Sequence, residues 1–353
     1  MPTSTTRRDS PDGVRVVAMG GGTGLSTLLR GLKRHVPPVG SEASAREPLV
    51  SDLAAIVTVS DDGGSSGQLR KDFNMLPPGD IRNCMVALSE DEHLLSLLFQ
   101  YRFDTGEGLK GHSFGNLFLA ALTDVTGDFA LAVKMSSQIL ATRGHIYPAT
   151  NANVTLRAQM DNGEDVRGET NITASNHRIV RLRLEPEVAE PLPETLDAIH
   201  HADLITLGPG SLYTSLIPNL LVQGIPEAIT ESNAICVYIC NLMTQRNESL
   251  GLTASEHIAR IYEHAGREIF DFAMINTAPI SWAVAERYAR EQAQPIVADV
   301  DEVEKLGVAV IRGAFAHEGQ VLRHDYDRVA DVLLSLVDRR NSAADLAAMR
   351  EQT

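Results

Sequence analysis

The hydrophobic positions of this chain fall into short uninterrupted runs and longer helical stripes, and their alternation sets the first expectations. Val14 to Met19 is an apolar run of the kind shown by a parallel strand buried on both faces. It leads through glycines into Leu25-Ser26-Thr27-Leu28-Leu29-Arg30-Gly31-Leu32, whose spacing predicts a helix starting at Leu25 or Ser26. The stretch from Pro37 to Leu49, rich in Pro, Ser, Gly and Glu, reads as a surface loop, and a second buried strand is expected from Leu53 to Val59. Later, Asp203 to Leu207 runs into Gly208-Pro209-Gly210-Ser211, and Ile235 to Ile239 runs into Cys240-Asn241-Leu242-Met243-Thr244. A strand followed by a polar loop is thus the recurring unit. Helical periodicity marks His93 to Phe99, Leu117 to Leu122, Ala130 to Ile139 and Ala330 to Val337.

Between Tyr147 and Leu184 the period changes to two: Val154 to Ala158 alternates, Asp161-Asn162-Gly163 is a turn signal, and Ile179 to Leu184 alternates again. The fold expected is α/β, a doubly wound, mainly parallel Rossmann-like sheet with a small antiparallel β insertion at about 147–184. One domain is expected over 14–340, after a disordered tail at 1–13 and before a frayed helix end at 341–353. In such sheets ligands sit outside the carboxyl ends of the strands, so loops distant in sequence can converge on one crevice.

Composition narrows the class. With 353 residues, 43% of them hydrophobic, the chain can bury a core without metal or disulfides. A net charge of -15 leaves no broad basic face, which argues against bulk nucleic acid as a partner. Cys84, Cys236 and Cys240 form no C-x-x-C pair and read as reduced core residues. No run of about 18 apolar residues occurs and the first thirteen residues hold no apolar stretch of signal-peptide length, so no membrane insertion and a cytoplasmic location are expected.

Five loops carry candidate chemistry. Gly20-Gly21-Gly22-Thr23-Gly24 lets a phosphate approach the backbone at a helix start, the alternative being a flexible turn. It fits neither the dinucleotide fingerprint, since Leu25 or Thr27 stands where a third small residue belongs, nor a P-loop, since no Gly-Lys-Ser/Thr follows. In Ser60 to Gly67, Asp61 and Asp62 with Gly63 and Gly64 suit Mg²⁺ or a polyol, or else a solvated turn with Asp62 as a helix cap. In Pro77 to Asn83, Asp80 is expected to cap a helix, and Arg82 to meet a phosphate or to pair with Asp61, Asp62 or Asp80. In His112 to Asn116, Asn116 orients a ligand or caps a helix. Gly208, Gly210 and Ser211 repeat the logic of the first loop and suit a second phosphate. Arg287-Tyr288 and Arg323-His324-Asp325 suit base stacking or phosphate pairing, or are ordinary surface residues. No G-x-S-x-G or H-E-x-x-H constellation occurs.

Taken together, Gly20 to Gly24, Ser60 to Gly67, Pro77 to Asn83, Ser113 to Asn116, Leu207 to Leu216 and Asn241-Leu242-Met243-Thr244-Gln245 resemble the YvcK family within the CofD-like superfamily, in order and from Val14 to about Val337. The resemblance implies a gluconeogenesis factor, a regulator of cell shape and envelope synthesis on gluconeogenic carbon sources that binds UDP-N-acetylglucosamine. It implies Asn241 as a loop residue of the site and raises Tyr288 and Arg323 to ligand contacts. It implies no required cofactor, with Mg²⁺ allowed at Asp61 and Asp62, and envelope-synthesis regulatory proteins and a homodimer as further partners. The CofD branch implies the alternative of a Mg²⁺-dependent 2-phospho-L-lactate transferase, and an NAD-binding protein is a third reading. The chain departs from the family at Arg246-Asn247-Glu248-Ser249, where Gly-Glu-Thr is usual after the glutamine, and at Tyr326, where a threonine is usual.

Overall fold

In the computed structural model, residues 13–38, 49–90 and 92–351 are described, the side chains of 92 and 341–351 excepted. The expected tail at 1–13 lies outside them except for Gly13, as does most of the Pro37–Leu49 loop. The first half of the chain runs β1 (Val14–Gly20), α1 (Gly22–Lys33), β2 (Val50–Val57), α2 (Gly64–Phe73), α3 (Gly79–Leu88), α4 (Glu92–Gln100), α5 (Phe114–Thr126), α6 (Phe129–Ile139) and β3 (His145–Pro148). Then come β4 (Thr155–Met160), β5 (Asp165–Arg167), α7 (Glu169–Ala174), β6 (Ile179–Glu185), α8 (Pro193–His201) and β7 (Leu204–Leu207). A π-helical turn, Leu212–Leu216, precedes α9 (Ile217–Leu220), α10 (Ile225–Glu231), β8 (Ile235–Ile239), α11 (Ala254–Ala265) and β9 (Phe272–Asn276). The chain ends with α12 (Trp282–Ala289), α13 (Val300–Lys305), β10 (Ala309–Gly313), β11 (Ala316–Glu318), β12 (Leu322–His324) and α14 (Tyr326–Glu351).

Seven strands form a parallel sheet in the order β10-β9-β8-β7-β1-β2-β3. β1 lies between β2 and β7, so the strand order reverses there, and the crevice outside that junction is where a doubly wound sheet binds ligands. All four β7 residues and all but one of β1 are buried, as continuous apolar runs in a sheet covered on both faces must be. α1 packs between α3 and α14, and one buried cluster joins the helices to the strands.

The insertion is a three-stranded antiparallel sheet, β5-β4-β6, with alternating burial along β4. It begins later than the sequence predicts. Tyr147 pairs in register with Ile56 and belongs to the edge of the main sheet, because a short strand after α6 can extend a parallel sheet only from the side that is still open. Helix α1 also starts earlier than predicted, at Gly22, since the glycines themselves take up its first turn. α14 continues past residue 341, where the sequence predicts fraying, to Glu351.

An ion pair clamps the start of the β1–β7 ladder. Asp203 Oδ2 accepts from the Arg15 backbone N–H and from Nε, both at 3.0 Å, and Oδ1 accepts from Nη2 at 2.9 Å. Burial alone would raise the Asp203 carboxyl, but the hydrogen bonds and charge of Arg15 outweigh it and hold the group below its usual value. Asp203→Ala is expected to cost about 1–2 kcal/mol in urea unfolding at pH 7. Because the folded value is the lower one, that contribution is complete above the ordinary carboxylate range and is lost as pH falls through the folded value. The wild type and the variant should therefore converge in stability as pH falls below the folded value.

Candidate functional site

The crevice at the β1/β7 junction has a volume of about 490 Å³ and is walled by Gly21 to Gly24, Pro209 to Ser211, Ser215, Asn241 to Met243, Gln245, Tyr288 and Val321 to His324. Its floor exists because two loops touch. A Cβ on Gly24 would stand 2.1 Å from the Pro209 carbonyl oxygen, so any side chain there pushes the loops apart. Gly22 is needed for a different reason, its φ of +61°, since a Cβ there would make only ordinary contacts with Ser215 and Asp80. No side chain caps α1, and the amides of Thr23 and Gly24 have no acceptor among the described residues. Those amides and the positive end of the helix dipole face the crevice, an arrangement that suits an anion.

The opposite wall is held by side chains. Asn241 accepts from the Gly210 N–H at 3.1 Å and donates back to its carbonyl at 2.7 Å, and Gln245 Nε2 donates to Ser211 Oγ at 2.8 Å. Asn241 therefore shapes the Gly208–Ser211 loop with both ends of its amide. Gly208 itself stands behind the wall, turning the chain at φ +92°. The loop at 246–249, where the chain departs from the family it resembles, is tied in too. Glu248 accepts from the Tyr213 N–H and from Thr214 Oγ1, capping the π-helical turn, and Asn247 donates to the Thr173 carbonyl.

Tyr288 and Arg323 meet at the far end, as residues 35 apart can only through tertiary structure. Leu242, Met243, Val284 and Leu322 form a small cluster of their own that binds α12 and the β11–β12 hairpin to the end of β8. The Leu322 N–H donates to the Tyr288 hydroxyl at 3.0 Å, while Arg323 is exposed and has no ion-pair or hydrogen-bond partner among the described residues. His324 Nε2 lies 3.1 Å from the Cys240 carbonyl, so this nitrogen carries the proton. Burial pushes the imidazole down to about 4, so it stays neutral at physiological pH. His324, Gln245 and Ser215 lie within motifs marked out in the sequence, Arg323-His324-Asp325, Asn241 to Gln245 and Leu207 to Leu216, but were not themselves named as site residues. Tyr326, in place of the family's threonine, lies beneath the Arg34 guanidinium at 5.7 Å.

A second, smaller pocket of about 230 Å³ adjoins the first loop and is lined by Asp61, Gly63 to Ser66, Gly79, Asp80, Arg82, Asn83, Arg102 and Asn116. Three expectations are corrected here. Asp80 does not cap α3, because Pro78 occupies the cap position; its carboxylate instead accepts from the Gly22 N–H at the start of α1. Arg82 pairs with none of the three aspartates and donates to Ser113 Oγ at 2.6 Å, Asn116 Oδ1 at 3.0 Å and Asn83 Oδ1 at 2.9 Å. Asn116 does not cap α5, since Ser113 does; it bridges Arg82 to Ser65, whose Oγ lies 3.0 Å from His112 Nδ1.

The two neighbouring aspartates part company. Asp61 accepts from the Gly63 N–H and faces this pocket, whereas Asp62 accepts from the backbone and hydroxyl of Thr170 and faces a separate groove. Asp62 is not a helix cap either, because Gly63 holds that position. Removal from water, then repulsion by Asp61, raise Asp80 to about 6. The expected Mg²⁺ pair of Asp61 and Asp62 is thus split between two pockets, and Asp61 with Asp80, which line the same one, are the carboxylates that would hold the ion, completed by ligand oxygens and water. It does not fit as an all-protein cage, since no cluster of three or more His, Cys, Asp or Glu suited to a metal occurs among the described residues. A larger cavity of about 730 Å³ opens at the β3 edge between α6 and α8, where none of the glycine loops reaches.

Two outcomes follow from this geometry. Gly24→Ala should abolish anion binding in the crevice, read by calorimetry, whereas Gly22→Ala should weaken it by backbone strain of about 1 kcal/mol. Burial, and then the charges of Asp61, Asp80, Glu248 and Asp62, push Glu169 up to about 9. Its folded value exceeds its unfolded one, so its contribution to stability is complete below about pH 4.5 and is lost as pH rises towards 9. Glu169→Gln should therefore raise the melting temperature by roughly 2–4 °C or more at pH 8 and leave it unchanged at pH 4.5.

Comparison with known proteins places this architecture. The family model described as 2-phospho-L-lactate transferase CofD matches residues 16–316. A gluconeogenesis factor of Halalkalibacterium halodurans is 48% identical over 329 residues, covering 93% of this chain and 98% of that protein. One from Bacillus subtilis is 47% identical over 324 residues, covering 92% and 98%. A crystal structure of a Bacillus halodurans protein superposes with a TM-score of 0.85 at 48% identity, covering 92% of this chain and all of that one. The chain belongs to the YvcK family of gluconeogenesis factors, within the CofD-like superfamily.

Proposed function

We propose that this protein is a nucleotide-sugar sensor: it binds UDP-N-acetylglucosamine in the crevice and thereby regulates cell shape and envelope synthesis during gluconeogenic growth. The observation that carries the reading is the uncapped start of α1 facing the Gly210–Ser211 wall, with Tyr288 and Arg323 at the far end. The diphosphate lies on the amides of Thr23 and Gly24, and Arg323 supplies the positive charge that a chain of net charge -15 otherwise lacks there. No helix among the described residues is long and apolar enough to cross a membrane, and the proposal takes the cytoplasm, where nucleotide sugars are made, as the place of action.

A transferase reading has one observation in its favour, the Asp61 and Asp80 carboxylates beside the same glycine loop. When bound, Mg²⁺ would neutralise phosphate charge there. Asp80 would orient the Gly22 amide, and Arg82, pushed down by burial and by Arg102 yet held by Ser113 and Asn116, would bind an acceptor anion.

Calorimetric titration with UDP-N-acetylglucosamine, UDP-glucose, GDP and NAD, each with and without Mg²⁺, separates these readings. Selective binding of UDP-N-acetylglucosamine without Mg²⁺ is expected. Arg323→Ala should weaken it at least tenfold, since a hydrogen bond to a charged group contributes about 1.5–3 kcal/mol, and should leave the melting temperature unchanged. Preference for GDP with Mg²⁺, together with an EDTA-sensitive product from a nucleotide-linked donor, would overturn the sensor in favour of the transferase.

A further inference from the structure

A groove of about 640 Å³ separates the end of α2 from the β insertion and α7, and it shares no lining residue with the crevice or the acidic pocket. The described residues that line it include three cations, Arg70, Lys71 and Arg167, against one carboxylate, Asp62, on a chain of net charge -15. The remainder of that lining is amide, hydroxyl and glycine. The cations are only partly paired. Arg70 donates from Nε to Asn153 Oδ1 at 2.7 Å and from Nη2 to the Val154 carbonyl and to Thr155 Oγ1, while its Nη1 has no acceptor. Arg167 donates from Nε to Glu185 at 2.5 Å, and neither of its Nη nitrogens has a partner among the described residues. Lys71 is exposed and likewise has no ion-pair or hydrogen-bond partner among them. Burial pulls Arg70 below its usual value, Asp62 opposes that shift and Arg167 adds to it, so uncompensated positive charge remains in the groove.

We propose that this groove is a second ligand site and that it takes a phosphorylated sugar. The phosphate pairs with Lys71 and Arg167, whose free N–H groups are open to solvent. The sugar body meets the amides. Asn74 uses only its Oδ1, towards Asn153, and Asn171 only its Nδ2, towards the Arg167 carbonyl, so one keeps a donor and the other an acceptor. Sugar hydroxyls need both kinds of partner, whereas a plain anion needs donors alone. No aromatic or aliphatic side chain is among the described residues lining the groove, so a nucleobase has nothing to stack on. A polynucleotide would meet the repulsion of the rest of the surface. The volume lies within the range of small-molecule sites and exceeds that of the crevice.

Calorimetric titration of the full chain with glucose 6-phosphate, fructose 6-phosphate and fructose 1,6-bisphosphate, beside inorganic phosphate, citrate and glucose, tests this. At least one of the three sugar phosphates should bind with a Kd below about 1 mM and at least tenfold more tightly than any of the comparators. Lys71→Glu and Arg167→Gln, both at exposed positions, should each weaken that binding at least tenfold while keeping the wild-type circular dichroism and melting profile. If either variant fails to fold, Lys71→Ala reads the same contact. A Kd above about 1 mM for all three sugar phosphates, a comparator that binds as tightly as they do, or unchanged affinity in the folded variants would overturn the proposal.

Discussion

The site depends on one steric contact, the approach of the Gly24 backbone to the Pro209 carbonyl across the junction of β1 and β7. These strands are neighbours in the sheet but lie nearly 190 residues apart in sequence, and the Arg15–Asp203 pair clamps the start of their ladder. With the spacing set, the two glycine loops must close on each other, and a helix start without a side-chain cap is left facing the space between them. On the crevice wall Asn241 is anchored to Gly210 and Gln245 to Ser211, behind it Glu248 holds the turn that follows and Asp80 the Gly22 amide, and Tyr288 and His324 are held instead to Leu322 and the Cys240 carbonyl.

Around this junction the electrostatics are in tension. Asp61, Asp80, Glu169 and Glu248 crowd one side; burial raises Asp80 and Glu248 to about 6 and Glu169 to about 9, with repulsion from neighbouring carboxylates adding at Asp80 and Glu169. Such a cluster opposes an anion unless something offsets it. The offsetting elements are fixed: backbone amides at the starts of α1 and α2, the Arg82 guanidinium held by Ser113 and Asn116, and Arg323 at the far end. Raised carboxylates also accept protons readily near neutrality, so the site can shed part of its negative charge without moving any backbone.

Asp80 links the crevice and the acidic pocket: it lines the pocket and accepts from the Gly22 amide, while the next two amides face the crevice. Through this one carboxylate a charge bound on either side bears on the other.

By itself the sequence determined the buried strands and the glycine loops that follow them. Buried parallel strands must be continuous apolar runs, and glycines after such a run mark a loop that something approaches closely, so Val14 to Gly24 and Leu204 to Ser211 were legible from local pattern alone. The start of α1, the membership of Tyr147 in the main sheet, and the partners of Asp62, Asp80, Arg82 and Asn116 were not. A polar side chain at a helix start is equally suited to capping, pairing or binding, and the choice depends on which groups other segments bring within about 3 Å. Asp62 turns to Thr170 and Arg82 to Ser113 only because the insertion and α5 happen to stand there, and it is this long-range packing, invisible in local spacing, that divided the two aspartates and joined Tyr288 to the hairpin of Arg323.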